Sequence, residues 1–328
     1  MLKTTFPGTQ LETSVISLGL GGYGASIAKD ESLRLLDIYA EAGGNFADTA
    51  HIYAAWIPNG WGASERLLGE WLRTRRPKGF IVGTKGGHPD MGSPLKACLA
   101  PKELRSDLTE SLDRLGQDSV DLYWLHRDDP AVPVGEVMGT LQEFVTAGRV
   151  RYLGASNWTT ERITAANAWA AKNGATPFCA SQVSWSLADG RPELQGHLNM
   201  LYLDDTMRDW HIRSGMPVVA YGSQAQGLFA GPWPGGGFTE PTPKQKALTG
   251  TYAATMDQTI RNAGRFQRAG KLATQLGRTA NEVALAYVWS QNFPGVAIVG
   301  SRTEAQLRET LKAGDFKLSA EQVAYLRG

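Results

Sequence analysis

The sequence predicts an α/β fold: a (β/α)8 TIM barrel with an N-terminal β-hairpin and a long loop after strand 7, residues 1–328 forming one barrel domain. Three observations predict it. Short apolar runs alternate with longer amphipathic stretches along the whole chain, the pattern of parallel strands joined by helical crossovers. The 328 residues suit a barrel of about 250 residues with insertions. The spaced Gly fingerprint of a doubly wound dinucleotide-binding sheet is missing: LGLGGYG at 18–24 has a different spacing, and no helical pattern opens directly from it.

The elements follow in order. TTFPGTQLETSVI reads as a hairpin ahead of the first barrel strand, placed to plug the barrel bottom. Strands are expected near 15–20, 45–48, 80–84, 120–125, 151–155, 178–183, 217–221 and 296–299. Helices are expected at 32–43, 63–74, 104–116, 135–148 and 161–174, where apolar residues recur at helical spacing and the pattern stops at or near glycine. After Tyr221 the rhythm breaks. Gly222 to Gln258 carries Gly-Pro-Trp-Pro-Gly-Gly-Gly at 231–237 and little apolar periodicity. A loop of that length is usually functional, and after the seventh strand it overhangs the active-site face.

Composition narrows the function classes. A net charge of +1, from 33 Lys and Arg against 32 Asp and Glu, argues against a broad nucleic-acid surface. With no run of about 18 apolar residues, no membrane span is expected. The first residues hold no long apolar stretch, so no signal peptide is expected, and the location is expected to be cytoplasmic. Cys98 and Cys179 sit beside small or apolar residues and read as packing, in keeping with a reducing compartment. His51, His88, His197 and His211 show no metal-ligand spacing and read as surface or packing; no metal site is expected.

The informative residues are the polar ones at strand ends, because barrel chemistry is built there from several different strands. Asp48 ends strand 2 and Tyr53 follows it. Strand 3 runs into Lys85, strand 4 into His126 and strand 5 into Ser156 and Asn157. Strand 6 carries Gln182, strand 7 ends in Tyr221 and strand 8 leads into Gly300, Ser301 and Arg302. Closed into a barrel, these residues ring one mouth. A phenol titrates near pH 10. Lys85 beside Tyr53 is expected to lower that value by stabilising the phenolate, with Asp48 holding the lysine charged and aimed. His126 is placed to hydrogen-bond a substrate oxygen. A tuned acid and an oriented carbonyl are what carbonyl reduction requires.

The ordered segments NFADTAHIY, GASERLLGEWL, VGTKGG, VDLYWLHRDDP, GRVRYLGASNW, SQVSWS, PVVAYG and VAIVGSRTEAQL, with LGLGGYG before them, resemble the aldo-keto reductase family over essentially the whole chain. The resemblance implies Tyr53 as general acid, Lys85 as its partner, Asp48 as the carboxylate paired to that lysine and His126 as the group orienting the carbonyl. It implies that Ser156, Asn157 and Gln182 hold a nicotinamide carboxamide and that Tyr221 stacks on the ring. Gly22 and Tyr23 match the first loop beside cofactor and substrate. Gly222, Ser223 and Gln224 match a pyrophosphate segment. Gly300, Ser301, Arg302, Gln306 and Thr310 match the adenosine end. The Arg302 fork suits a 2′-phosphate, which favours NADPH (NADP+) over NADH.

Departures from the family pattern are Gly222-Ser223-Gln224 in place of Ser-Pro-Leu, Thr310 in place of Asn, and an insertion at 54–61. The insertion is expected to bring Trp56 and Trp61 to the substrate mouth beside Tyr23, with Arg127 in reach of it. The implied partner is a small-molecule carbonyl, a sugar or an aromatic aldehyde among the candidates, with no nucleic acid and no membrane. Two other readings stand beside a reductase: a cofactor-binding accessory subunit with little turnover, and an NAD(P)-dependent sugar or polyol dehydrogenase.

Overall fold

The structure is a computed structural model and describes residues 1–89, 98–190, 200–231, 252 and 256–328. A hairpin of β1 (Lys3–Thr5) and β2 (Glu12–Ser14) precedes the barrel. The barrel strands are β3 (Ile16–Gly19), β4 (Phe46–Asp48), β5 (Ile81–Gly86), β6 (Val120–Leu125), β7 (Val150–Ser156), β8 (Phe178–Ser184), β9 (Val218–Tyr221) and β10 (Gly295–Val299). They are all parallel and close in chain order, β10 pairing with both β9 and β3. Each lies within a few residues of its expected place.

The helices joining them are α1 (Lys29–Glu41), α2 (Ala63–Arg75), α3 (Pro101–Leu115), α4 (Val134–Thr146), α5 (Thr160–Asn173), α6 (Asp205–Ser214), α7 (Met256–Leu276), α8 (Ala280–Trp289), α9 (Glu304–Leu311) and α10 (Ala320–Arg327). The five helices legible in the sequence are α1 to α5. Local chemistry sets their ends: Gly116 and Gly174 stop α3 and α5 in the left-handed conformation, and the Thr159 hydroxyl caps α5 by accepting from the Arg162 backbone N–H. Among the described residues no helix is long and apolar enough to cross a membrane.

Alternation along the strands divides the interior from the helix layer. Phe46, Ile81, Leu122, Trp124, Ala180, Val219 and Val296 form one apolar cluster inside the barrel, and Phe6 and Leu11 from the hairpin join it. The hairpin therefore seals the interior at its lower end, as the sequence suggested. Two residues further along the same inward rows come Asp48, Gln182 and Tyr221, and two beyond Trp124 comes His126. The site is the polar continuation of the packed interior. Trp124 is its floor, and glycine makes room for it: a Cβ on Gly154 would lie 2.2 Å from Trp124 Cε3.

The segment after β9 is described only at its two ends. Ala225–Gly227 forms a single 3-10 turn, and α7 begins at Met256, inside the expected loop. Most of the loop, including Trp233 and its Pro-Gly neighbours, lies outside the described residues, as does His197.

Candidate active site

Lys85 organises the mouth. It lies within β5, one residue before its end, and its side chain is completely buried. Its ammonium donates to Asp48 Oδ2 at 2.6 Å, to Tyr53 Oη at 2.8 Å and to the Thr49 carbonyl at 2.8 Å. An ammonium has three donors, so all are engaged. Asp48 Oδ1 accepts from Gln182 Nε2 at 2.9 Å, which fixes the carboxylate plane.

Tyr53 reaches Lys85 because of how the chain leaves β4. The Thr49 and His51 backbone N–H groups donate to Gly83 and Lys85 carbonyls, so the chain stays attached to β5 beyond the strand. Turns at Ala50–Tyr53 and Ile52–Ala55, with Ala54 left-handed, then fold the ring back over the lysine. A buried polar network holds this segment from behind. Glu65 on α2 accepts from the Thr84 hydroxyl and from Arg114, and Arg114 also donates to the His51 carbonyl. The His51 ring meets Glu110 at 3.0 Å. This is the structural work of the GASERLLGEWL segment.

Burial pushes the Tyr53 phenol well above its ordinary range, and the Asp48 carboxylate adds to the shift against a smaller opposing effect of Arg127. The lowering expected from Lys85 is therefore corrected. The ammonium is itself pulled below its usual value by burial, and Asp48 holds it charged. A neutral ion pair cannot outweigh desolvation of the phenolate. Tyr53 keeps its proton at neutral pH. His126, at the end of β6, is also neutral: burial first, then Arg127, His88 and Lys85, drive it well below the usual imidazole range. Its ring lies 5.9 Å from the Tyr53 ring.

These groups open on a cavity of about 220 Å³ lined by Tyr53, Trp56, His88, His126, Arg127 and Tyr221, with Ser156, Asn157 and Gln182 also in its wall. Asn157, left-handed at φ 60, binds several parts together. Its Nδ2 donates to the His126 carbonyl and to Ser156 Oγ, and its Oδ1 accepts from the Tyr221 hydroxyl at 2.7 Å and from the Leu201 N–H.

A second cavity of about 290 Å³ is lined by Gln224, Gly300, Ser301, Arg302, Gln306 and Thr310, among others. Gln306 Oε1 accepts from the Arg302 backbone N–H, and Gln224 Nε2 donates to the Thr310 hydroxyl at 3.1 Å. The Ser301 hydroxyl is buried with no partner among the described residues, and the Arg302 guanidinium carries no ion pair there. Ser223 Oγ donates to the Ile298 carbonyl, tying the end of β9 to β10. Gly222 is left-handed at φ 66, where a side chain would be strained.

Two expected contacts differ. Tyr23 is buried and lines neither cavity; its hydroxyl donates to the Ser301 carbonyl at 3.1 Å, so it anchors the segment beside it. Gly22, next to it, accepts from Ile27 in the same loop. Trp61 packs on His51 and Arg114, away from the mouth, because the turns at 54–60 carry it over α3. Trp56 does reach the mouth and stays 54% exposed. His88, read from sequence as surface or packing, lines the cavity with its ring 4.7 Å from that of His126. Gln226 and Asn281 line the second cavity and were not anticipated. Among the described residues no cluster of His, Cys, Asp and Glu suits a metal ion.

Comparison with known proteins fits this geometry. The aldo/keto reductase family model matches residues 15–328. The aryl-alcohol dehydrogenase [NADP(+)] of Phanerodontia chrysosporium is 29% identical over 350 aligned positions, covering 98% of this chain and 83% of that one. Norsolorinic acid reductase of Aspergillus flavus is 29% identical, covering 94% of this chain and 74% of that one. A crystal structure of a thermostable aldo-keto reductase superposes with a TM-score of 0.72 at 23% identity, over 100% of this chain and 99% of that one; at that identity it speaks to the fold.

Proposed function

The chain belongs to the aldo/keto reductase family, and on that premise we propose that it reduces an aldehyde or ketone to an alcohol with NADPH, Tyr53 giving the proton. The observation that carries this is the buried Lys85 ammonium, 2.8 Å from Tyr53 Oη and 2.6 Å from Asp48, at the edge of a cavity shared with a neutral His126.

The nicotinamide, when bound, supplies a hydride to the carbonyl carbon. The protein's own residues do the rest. A neutral imidazole has one N–H, and His126 uses it to hold the carbonyl oxygen. Tyr53 donates its hydroxyl proton to that oxygen as negative charge develops there. Lys85 Nζ already points at Tyr53 Oη, so the phenolate is met by an ammonium in hydrogen-bond contact. Asp48 keeps Lys85 protonated despite burial.

The cofactor fits the residues present. Ser156 and Gln182 would hold the carboxamide while Asn157 orders Ser156 and Tyr221, and Tyr221 would stack on the ring. Gly222, Ser223 and Gln224 would follow the pyrophosphate. Gly300, Ser301, Arg302, Gln306 and Thr310 surround a cavity whose Ser301 hydroxyl and Arg302 guanidinium have no hydrogen-bond or ion-pair partner for their side chains among the described residues, groups that suit a 2′-phosphate. The NADP(+) and aryl alcohol of the Phanerodontia chrysosporium relative's name support the cofactor and favour an aromatic over a sugar substrate. The aromatic faces of Tyr53 and Trp56 in the cavity wall suit a flat aromatic substrate.

The test is loss of NADPH absorbance across a panel of aldehydes, wild type against Tyr53→Phe. Loss of the acid should lower turnover by about 10²–10⁴; equal turnover by the two proteins refutes the assignment.

A further inference from the structure

Arg127, the first residue after His126, is a buried cation without a counter-ion among the described residues. It lines the substrate cavity and is 9% exposed. Its Nη1 donates to the His126 carbonyl at 2.8 Å, its single side-chain hydrogen bond among the described residues. No carboxylate pairs with it among them. Asp48 is held by Lys85, and Asp128 is held from two sides by Arg162 at 2.9 Å. A guanidinium carries five N–H donors, and leaving most of them unsatisfied away from water is costly. Such a group in a cleft points to a ligand that completes it.

Among the described residues, the rest of the cavity adds no competing charge. The Lys85–Asp48 pair is neutral as a unit. His88 Nδ1 lies 2.7 Å from the Pro89 carbonyl, so it is the donor, and burial takes His88 down to about 4; its Nε2 is a bare acceptor. His126 is neutral for the same reason. Arg127 shares the cavity with Tyr53, His88 and His126, and its charge acts on these groups and on Lys85. The cavity, at about 220 Å³, is below the roughly 300–1,000 Å³ of sites for drug-sized ligands.

We propose that the carbonyl substrate carries a carboxylate, received by the Arg127 guanidinium; this rests on the reductase reading above. One positive charge uncompensated among the described residues matches one carboxylate, whereas a phosphate dianion would leave negative charge buried. The planar fork of arginine fits a carboxylate through two parallel bonds, and the aromatic walls take the remaining planar surface.

The experiment compares 4-carboxybenzaldehyde with the neutral methyl 4-formylbenzoate, as kcat/KM with NADPH. Wild type should prefer the acid by about 10–150-fold, the range for a hydrogen-bonded charge. Arg127→Met should bring the ratio near one, chiefly through KM for the acid, and Arg127→Lys should keep part of the preference. Near-UV circular dichroism checks folding, and if the Met variant does not fold the Lys variant decides. A wild-type ratio at or below one, or a ratio unchanged in the variants, overturns the proposal. So does weakened NADPH binding in Arg127→Met with the ratio retained, because the guanidinium then serves the cofactor.

Binding of terephthalate against its dimethyl ester, followed by tryptophan fluorescence without cofactor, separates the two layers. If wild type reduces neither aldehyde, the reductase reading has failed. Arg127-dependent terephthalate binding then still supports the anion site, and its absence overturns it.

Discussion

Removing both members of the Lys85–Asp48 pair should cost less stability than the sum of removing each alone. The charges meet at 2.6 Å with both side chains at most 1% exposed. At an effective dielectric near 20, two unit charges at that distance attract by about 6 kcal/mol. Desolvation opposes much of this, yet breaking a buried pair costs about 3–5 kcal/mol because the survivor is left uncompensated. In Lys85→Met the Asp48 carboxylate keeps Gln182 and loses its cation, and in Asp48→Asn the ammonium keeps Tyr53 and Thr49 without an anion. Each should lower the thermal midpoint by roughly 6–10 °C, at about 2 °C per kcal/mol for a large domain. The double variant removes both charges and leaves Gln182 an amide oxygen at position 48 to donate to, so it should be more stable than the sum of the single losses by at least about 2 kcal/mol. Thermal scans by near-UV circular dichroism on the four proteins give the cycle. Additive losses, or single losses below about 1 kcal/mol, refute the claim that the pair stands as a buried, mutually dependent unit.

Three further outcomes follow from the same geometry. Gly154→Ala sets a Cβ 2.2 Å from Trp124 Cε3, so it should cost about 1–3 kcal/mol in stability and lower kcat/KM by displacing the cavity floor; a midpoint equal to wild type contradicts the packing. Arg302→Ala should weaken NADPH by about 10–150-fold and NADH by far less in fluorescence titrations; equal weakening means that Arg302 does not read the 2′-phosphate. His211 is buried beside the Met216 carbonyl and is held down to about 4 by burial. A folded value below the unfolded one near 6.5 contributes stability that is full above pH 6.5 and lost as pH falls toward 4, up to about 3 kcal/mol. The midpoint should therefore drop between pH 7 and pH 5, and less steeply in His211→Gln; identical slopes would show that His211 is not responsible.

How much of this was legible follows from what each signal depends on. The strands were legible because each is an apolar run bounded by turn residues, and eight in alternation with helices leave few topologies. Asp48, Gln182 and Tyr221 were legible for the same reason as the core: they continue inward rows begun by Phe46, Ala180 and Val219. His88 was not, because it lies beyond β5 after Gly86 and Gly87, where strand alternation no longer says which way a side chain faces. The place of Trp61 is not legible because an insertion shows added length without the direction of its turns; Trp56 lines the cavity, and Trp61, five residues on, packs on His51 and Arg114. Asn281 comes from α8, far from any motif, and enters its cavity only through packing. The sign of the Tyr53 shift also escaped sequence reasoning, since it depends on burial and on the Asp48 distance.

That sign bears on how the proposed acid works. A phenol held above its ordinary range stays protonated through neutral pH, which a proton donor needs at rest, but a high value also opposes release. Lys85 resolves the opposition because its help depends on the state of the phenol. With Asp48 and Thr49 fixing the ammonium, its third donor lies 2.8 Å from Tyr53 Oη. Against a neutral phenol the ammonium makes a bond in which only the donor is charged. Against a phenolate both partners are charged, and an ion-pair attraction is added to the hydrogen bond. The interaction is thus stronger in the transition state than in the ground state, and only such interactions accelerate the chemical step. Tyr53 does not have to be acidic beforehand; it has to sit where its anion is better solvated by Lys85 than its neutral form is.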